Sequence, residues 1–300
     1  MDIPSNAISG SLEARSAAPA TSPLLWSVRR ELWEYRSIYL APLIVAGVIV
    51  VATSLSTLAG IWEPALRSGT GQHQIEPYDF AAMLIMGAAF VVAIFYCLDA
   101  LHGERRDRSI LFWKSLPVSD RTTVLAKAAI PLIVLPAVAF AITVATHLSM
   151  LLWSTLVHAV SGANGGMVWT HVPLLQMWLM LVYHLFAVHG LWYAPFYGWL
   201  LLVSAWAKRA PFLWALIPAA LVAIVERILF HTQYFLSMLG GRLMAGPSGD
   251  FGPRGDVLMP PLSQLTPGRF LLSPGLWVGL GLMALFLMLA IRLRRERAPL

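Results

Sequence analysis

The sequence predicts an all-α integral membrane protein, a bundle of six transmembrane helices, and three observations predict it. Six segments stay apolar for about 20 residues or more, the ~30 Å that a helix needs to cross a hydrocarbon core. Hydrophobic residues make up 58% of the 300 and charged residues only 12%, with a mean hydropathy of +0.70. That leaves too little polar surface to clothe a soluble globule. The basic residues are also sided. If the spans alternate in direction, Arg15, Arg29, Arg30, Arg36, Arg105, Arg106, Arg108, Lys114, Arg121, Lys127, Lys208, Arg209 and the tail arginines Arg292, Arg294, Arg295 and Arg297 share one side. Only Arg67, Arg242, Arg254 and Arg269 fall opposite. Positive residues are retained in the cytoplasm during insertion, so both termini are expected there. The net charge of +6 is therefore membrane-sided, and it points to anionic headgroups and to no nucleic-acid partner.

Residues 1–22 are rich in Ala, Ser and Pro, have no apolar core of a cleavable signal, and are expected to form a disordered cytoplasmic arm. Residues 23–300 then form one six-span domain. In Pro23 to Arg36, Leu25, Val28, Leu32 and Tyr35 recur at i, i+3, i+7 and i+10, with Arg30, Glu31 and Glu34 opposite. This predicts an interfacial helix lying in the headgroup plane, with Trp26 and Trp33 near its edges; the alternative is a simple extension of the first span. The spans are expected at Ile38–Leu58, Phe80–Leu101, Val124–Leu148, Leu174–Val203, Pro211–Phe230 and Pro274–Leu293. Two outer connections, Ala59 to Asp79 and Val157 to Pro173, are short and polar. The third, His231 to Ser273, is rich in Gly and Pro and predicts no regular structure across its middle, while Thr232 to Met244 is apolar enough to rest on the membrane surface.

Prolines fall inside the third span (Pro131, Pro136), the fourth (Pro195) and the fifth (Pro218). Each removes a backbone donor and can bend its helix, although proline is ordinarily common in membrane helices. The lone cysteine, Cys97, excludes an intramolecular disulfide. Polar groups within spans are expensive and are default functional candidates. Here they are Asp99, His147, Tyr183, His184, His189, Glu226 and Arg227. Together Asp99, His147, His184, His189, Glu226 and Arg227 define a candidate intramembrane polar path, with bundle stabilisation as the plainer reading. Glu226 and Arg227 point about 100° apart on a helix and are expected to pair with other helices. On an α-helix His184 and His189 point about 140° apart, unlike the i, i+4 pair of a zinc-binding H-E-x-x-H helix. An intramembrane metalloenzyme is thus disfavoured, and no resident metal or cofactor is expected.

The segment His102 to Lys127, HGERRDRSILFWKSLPVSDRTTVLAK, is the most specific in the chain. Its arginines alone read as a topological loop. They leave the apolar Ile110, Leu111, Phe112, Trp113 and Leu116 unexplained, and those residues predict a short helix that Pro117 stops. Asp120 then suits a helix N-cap.

Here the chain resembles the permeases of type 2 ATP-binding cassette (ABC) exporters. The resemblance rests on Glu104 and Arg105 after the second span, Ser115, Leu116, Pro117, Val118 and Ser119 in the loop, and Lys127 leading into the third span, similar to the family's E-R, S-L-P-V-S and K pattern. It also covers the six spans and the preceding interfacial helix. It implies an ABC transporter permease of the cell inner membrane, with a short cytoplasmic coupling helix between spans two and three that docks on the ATPase. The coupling residues so implied are Glu104, Arg105, Arg106, Phe112, Trp113, Leu116 and Pro117. Better-known members fold short re-entrant helices in the last outer loop, a feature that Met244 to Gly268 does not advertise.

An independent observation bears on the ATP requirement. The three lysines, Lys114, Lys127 and Lys208, do not follow glycine, so the chain lacks the glycine-rich, lysine-bearing loop that cradles phosphates. ATP and Mg²⁺ are then expected in a separate ATPase subunit, and a second permease copy or a related permease completes the path. Other classes compatible with spans and basic loops are a non-transporting membrane scaffold or sensor and, more remotely, the His-dependent metalloenzyme.

Overall fold

A computed structural model of the chain describes residues 23–59, 72–109, 111, 118–162, 169, 172–245 and 267–296. The expected arm 1–22 and the residues Phe112, Trp113, Leu116 and Pro117 lie outside the described residues, as do 60–71, 163–168 and 246–266. Among the described residues there are helices and no strand. Six helices are long and apolar enough to cross a membrane, the pattern of an integral membrane protein.

The order is α1 (Pro23–Glu34), α2 (Ser37–Leu58), α3 (Gln72–Asp99), α4 (His102–Arg106) and α5 (Asp120–Ala129). A π-helical stretch, Ile130–Val134, joins α5 to α6 (Leu135–Val160). Then come α7 (Leu174–Tyr183), a second π-helical stretch (His184–Trp192), α8 (Ala194–Trp206), α9 (Pro211–Phe230), α10 (Tyr234–Gly240), a third π stretch (Gly241–Ala245), α11 (Pro267–Leu272) and α12 (Pro274–Glu296).

The long helices are apolar all round, so burial marks the packed side. In α2, Ile38, Pro42, Ala46 and Ile49 are buried, at spacings of four, four and three, while Leu40, Leu43, Ile44, Val48 and Val51 are exposed. The buried stripe packs on α3 and α6. Ala81, Ala82, Ala89 and Ala93 of α3 are buried there, and small side chains let backbones approach closely. α8 lies along α12, and a Cβ at Gly198 would stand 3.2 Å from the Met283 Cα, so glycine permits that crossing. α9 is peripheral. Of its twenty residues only Ala215 is buried.

Two expectations, for the fourth and third spans, are corrected in detail. The expected fourth span is not one α-helix but α7, a π stretch and α8, with a bend at Tyr193 (φ −86°, ψ 0°). Pro195 just beyond the bend has no N–H to return to the preceding turn, and Gly190 within the π stretch lets the Leu132 carbonyl of the first π stretch come close. The third span is longer than expected and runs from Asp120 to Val160, absorbing Pro131 in its π stretch and Pro136 at the start of α6. The outer connection between α9 and α12 is helical at both described ends.

That connection is docked by a single arginine. Arg242 donates from Nε to the Trp192 carbonyl (3.1 Å) and from Nη1 to the Gly275 carbonyl (2.9 Å). Its guanidinium carbon lies 4.3 Å from the Trp192 ring centroid. Trp192 Nε1 donates back to the Arg242 carbonyl (2.8 Å) and the Tyr193 hydroxyl donates to the Leu243 carbonyl (2.9 Å). The guanidinium occupies the space a side chain at Gly279 would take, since a Cβ there would lie 2.0 Å from Nη2.

The π–π crossing generates a stability prediction. A Cβ at Gly190 would lie 2.9 Å from the Leu132 carbonyl oxygen, whereas one at Gly87 meets nothing within 4 Å. Gly190→Ala is expected to destabilise by about 1–3 kcal/mol through overpacking. Gly87→Ala is expected to be neutral or stabilising by up to about 1 kcal/mol through helix propensity. Thermal unfolding of both variants in detergent checks the pair, and equal midpoints contradict the crossing.

Candidate functional site

The ends of α3, α8 and α12 and the start of α5 meet at one end of the bundle, and the polar chemistry of the chain concentrates there. Glu31 of α1, Glu104 of α4 and Lys127 of α5 are buried, with relative exposures of 0%, 2% and 0%. Charges removed from water to this degree need partners of opposite sign and satisfied hydrogen bonds. Lys127 Nζ supplies three such contacts, to Glu31 Oε1 (2.9 Å) and Oε2 (3.0 Å) and to Glu104 Oε1 (3.1 Å). The Tyr96 hydroxyl of α3 donates to Glu31 Oε2 (2.8 Å).

Arginines complete the cluster. Arg30 Nη2 donates to Glu104 Oε1 (3.0 Å) and also pairs with Glu31. Arg294, in the last turns of α12, donates from Nη1 to Glu104 Oε2 and from Nε to Asp120 Oδ1 (3.0 Å). The cations Arg30, Lys127 and Arg294 thus face the carboxylates Glu31, Glu104 and Asp120, and the buried set is formally neutral. Ser119 caps α5 by accepting from the Thr122 N–H (3.1 Å). The expected cap, Asp120, instead occupies the first turn, where its charge suits the helix dipole and meets Arg294.

A second set of bonds ties α4 to α8. Ser204 Oγ accepts from the backbone N–H groups of Leu101 (3.0 Å) and His102 (2.9 Å). Arg105 Nη1 donates to the Ala205 carbonyl (2.7 Å) and the Ala207 carbonyl (3.3 Å), and His102 Nδ1 lies 3.2 Å from the same Ala207 oxygen. Three residues of the five-residue α4, His102, Glu104 and Arg105, therefore connect it to α1, α5, α8 and α12. Of the family-like residues, Glu104 and Arg105 are buried inside the chain and Arg106 is exposed. Arg106 pairs with Asp107 (3.0 Å).

Glu31 and Arg294 were missed as site residues. Glu31 was expected on the outward face of α1; it is buried, and Leu25 of the expected membrane face is exposed, while Val28, Leu32 and Tyr35 pack against the core. Helical periodicity of apolar residues could not reveal this, because two of the groups that meet the Glu31 carboxylate, Lys127 and Tyr96, sit on other helices. The available signal was the scarcity of carboxylates, only 15 Asp and Glu in 300 residues, which makes each one beside a span a candidate partner for a buried cation.

The polar-path residues are dispersed. Asp99 lies at the charged end and accepts from the Tyr35 hydroxyl (3.2 Å). His147 is buried in α6, with Nε2 3.0 Å from the Tyr78 carbonyl and Trp178 Nε1 donating to Nδ1 (3.3 Å). An indole donor at Nδ1 fixes that nitrogen as acceptor and leaves Nε2–H to donate, so the ring is held as one neutral tautomer. His184 and His189 both fall in the second π stretch, whose i to i+5 repeat brings them closer to one side than an α-helix does. His189 is packed between the rings of Phe90 and Tyr193, at centroid distances of 5.9 and 5.5 Å. Among the described residues no group of three His, Cys, Asp or Glu side chains is placed to hold a metal ion.

Glu226 has a local role rather than a partner on another span. Its carboxylate accepts from the Thr232 hydroxyl (2.7 Å) and from the N–H groups of Tyr234 (2.6 Å) and Phe235 (2.9 Å), capping the start of α10. Arg227 is exposed on α9.

The cluster predicts a large and specific cost for losing its shared cation. Lys127→Met leaves Glu31 and Glu104 short of a partner and is expected to destabilise by about 3–5 kcal/mol, as for other broken buried pairs. Adding Glu31→Gln is expected to recover part of that loss, since it removes one stranded charge. Unfolding in detergent, with Lys208→Met as a surface control, checks both. A Lys127 variant as stable as the Lys208 variant contradicts the cluster's role.

Comparison with protein-family models, with curated proteins and with solved structures found no match for this chain.

Proposed function

We propose that this chain is the transmembrane subunit of a type 2 ABC exporter, set in a bacterial inner membrane with both termini in the cytoplasm. It forms part of the substrate path with a second permease copy or a related permease and couples to a separate ATPase that binds ATP and Mg²⁺. The observation that carries the reading is the position of α4. This short helix directly precedes the apolar loop segment containing Phe112, Trp113 and Leu116, and it is bonded to four other helices at once.

A machine driven by a separate motor needs a part that receives a push and parts that share it. In this reading the loop 110–117 is the coupling helix, with Phe112 and Trp113 as anchors in a groove of the ATPase and Pro117 ending it. Arg106, exposed beside it, faces the same partner. Glu104 and Arg105 act one step inward. Displacing α4 pulls on α1, α5 and α12 through Glu104 and on α8 through Arg105 and Ser204. α1 is the interfacial helix of this assembly. α9, which packs little within the chain, and the exposed side of α2 face lipid or the second permease.

Two outcomes follow from the coupling and the topology. Alone, the purified chain is expected to turn over no ATP, because it lacks a phosphate-cradling loop. With its ATPase partner, Phe112→Ala combined with Trp113→Ala is expected to weaken association or stimulated turnover about tenfold or more while insertion stays normal, as for other aromatic anchors. Co-purification and ATPase assays read this directly, and undiminished binding and turnover contradict the docking role.

Reporter fusions after Arg106, after Arg209 and at Leu300 are expected to signal cytoplasm, and fusions near Gly71, Gly165 and Gly252 the outside. A cytoplasmic signal at Gly252 overturns the alternating arrangement.

A further inference from the structure

The face of α1 turned away from the bundle carries a pattern that the charge cluster does not use. Trp26, Arg29, Trp33 and Arg36 recur at i, i+3, i+7 and i+10, so they share one helical side, and all four are exposed. Arg36 lies just past α1 but keeps helical dihedrals (φ −59°, ψ −23°). The Arg29 guanidinium carbon stands 5.4 Å from the Trp26 ring centroid and 4.8 Å from that of Trp33. It is therefore held between two indoles. The acidic residues of α1 are directed elsewhere, Glu31 into the cluster and Glu34 toward Arg30 (3.8 Å).

This face is ill suited to bulk water. Trp26 and Trp33 are 51% and 63% exposed, and Leu25 beside them is 70% exposed. It is continuous along the chain with Tyr39, Leu40, Leu43 and Ile44, the exposed apolar side of α2, which in a membrane helix meets lipid. Tryptophan favours the headgroup level, where its ring is apolar and its N–H is wet. A guanidinium stacked on aromatic faces keeps its edge N–H groups free for bidentate bonds to phosphate.

We infer that this face binds the headgroup phosphate of an anionic phospholipid, with Arg29 as the phosphate ligand, Trp26 and Trp33 as its walls and Arg36 as a second positive charge. The inference rests on the reading of α1 as the interfacial helix on the cytoplasmic side, where anionic lipids gather and each surface arginine adds to the attraction. It does not depend on the identity of the ATPase. The carboxylate-bearing side of α1 grips the bundle while the aromatic and cationic side grips the leaflet, so one short helix fixes the depth at which the charge cluster sits.

The test uses the full chain in phosphatidylcholine vesicles without any ATPase. Photoactivatable phosphatidylglycerol or phosphatidylcholine with matched acyl chains is added as a minor component, and adducts are mapped by mass spectrometry. Phosphatidylglycerol is expected to label residues 23–36 in preference to phosphatidylcholine. Arg29→Gln is expected to lower that preference about fivefold, the effect of one interfacial arginine, and Arg29→Lys to lower it less. Labelling of α9 should stay unchanged in each variant and reports that the fold is intact. Should Arg29→Gln fail to fold, Trp26→Leu with Trp33→Leu keeps charge and apolar surface, and it is expected to lose preference by removing the walls. Equal labelling by the two lipids in the wild type, or a preference that survives these substitutions, overturns the inference. So does a face that takes no lipid adduct and is buried only when an ATPase is added. A wild-type chain that shows no lipid preference but couples normally counts against this inference alone, whereas failed coupling with lipid preference intact counts against the exporter reading.

Discussion

A carboxylate removed from water has to be met by cations and donors, and the arrangement at the charged end of this bundle follows from that requirement. Glu104 and Glu31 sit where apolar helices converge, so each lone pair left without a partner carries a large desolvation cost. Lys127 bridges the two, Arg30 and Arg294 close the outer sides, and Tyr96 fills a remaining position. Such a cluster adds little net stability compared with apolar packing, but it is intolerant of misplacement. Five helices are thereby held in one register at this end, although greasy helices alone could slide past one another in lipid with little penalty.

The opposite end solves a related problem with different chemistry. Arg242 has no carboxylate partner among the described residues; Nε and Nη1 donate to two backbone carbonyls and the guanidinium stacks on the face of Trp192, while Nη2 is buried without a hydrogen-bond partner. The Trp192 carbonyl is available where the second π stretch ends at the bend at Tyr193 and the regular helical ladder is interrupted. Glycine at 279 opens the space for the guanidinium. The short helix α10 is held at its other end by Glu226. The connection between α9 and α12 is thus fastened at two points, to the end of α9 through Glu226 and to Trp192 and the start of α12 through Arg242.

Much of the architecture was legible in the sequence. Apolar runs mark the six long helices because their length and composition follow from transfer into a bilayer and need no knowledge of partners. The family-like pattern names both Glu104 and Lys127 but implies no contact between them, and the structure brings the two side chains to 3.1 Å. What escaped is what depends on neighbours. Glu31 reads as a surface residue until Lys127 and Tyr96 are placed against it. Arg294 reads as one more topological charge in a basic tail. Pro195 marks a bend in the fourth span, but the π stretch before it leaves no such mark, and the approach of Gly190 to the Leu132 carbonyl is visible only once the third span is placed beside it. His184 and His189 share a side more closely than α-helical spacing allows for the same reason.

The central claim is that Glu104 makes the ends of α1, α4, α5 and α12 one cooperative unit. Backbone hydrogen exchange of Glu104→Ala against the wild type, in the same lipid environment, tests it most directly. The account predicts faster exchange at residues 27–35, 102–106, 120–127 and 290–296 together, with the α2–α6 contact unchanged. Faster exchange confined to 102–106 would contradict it.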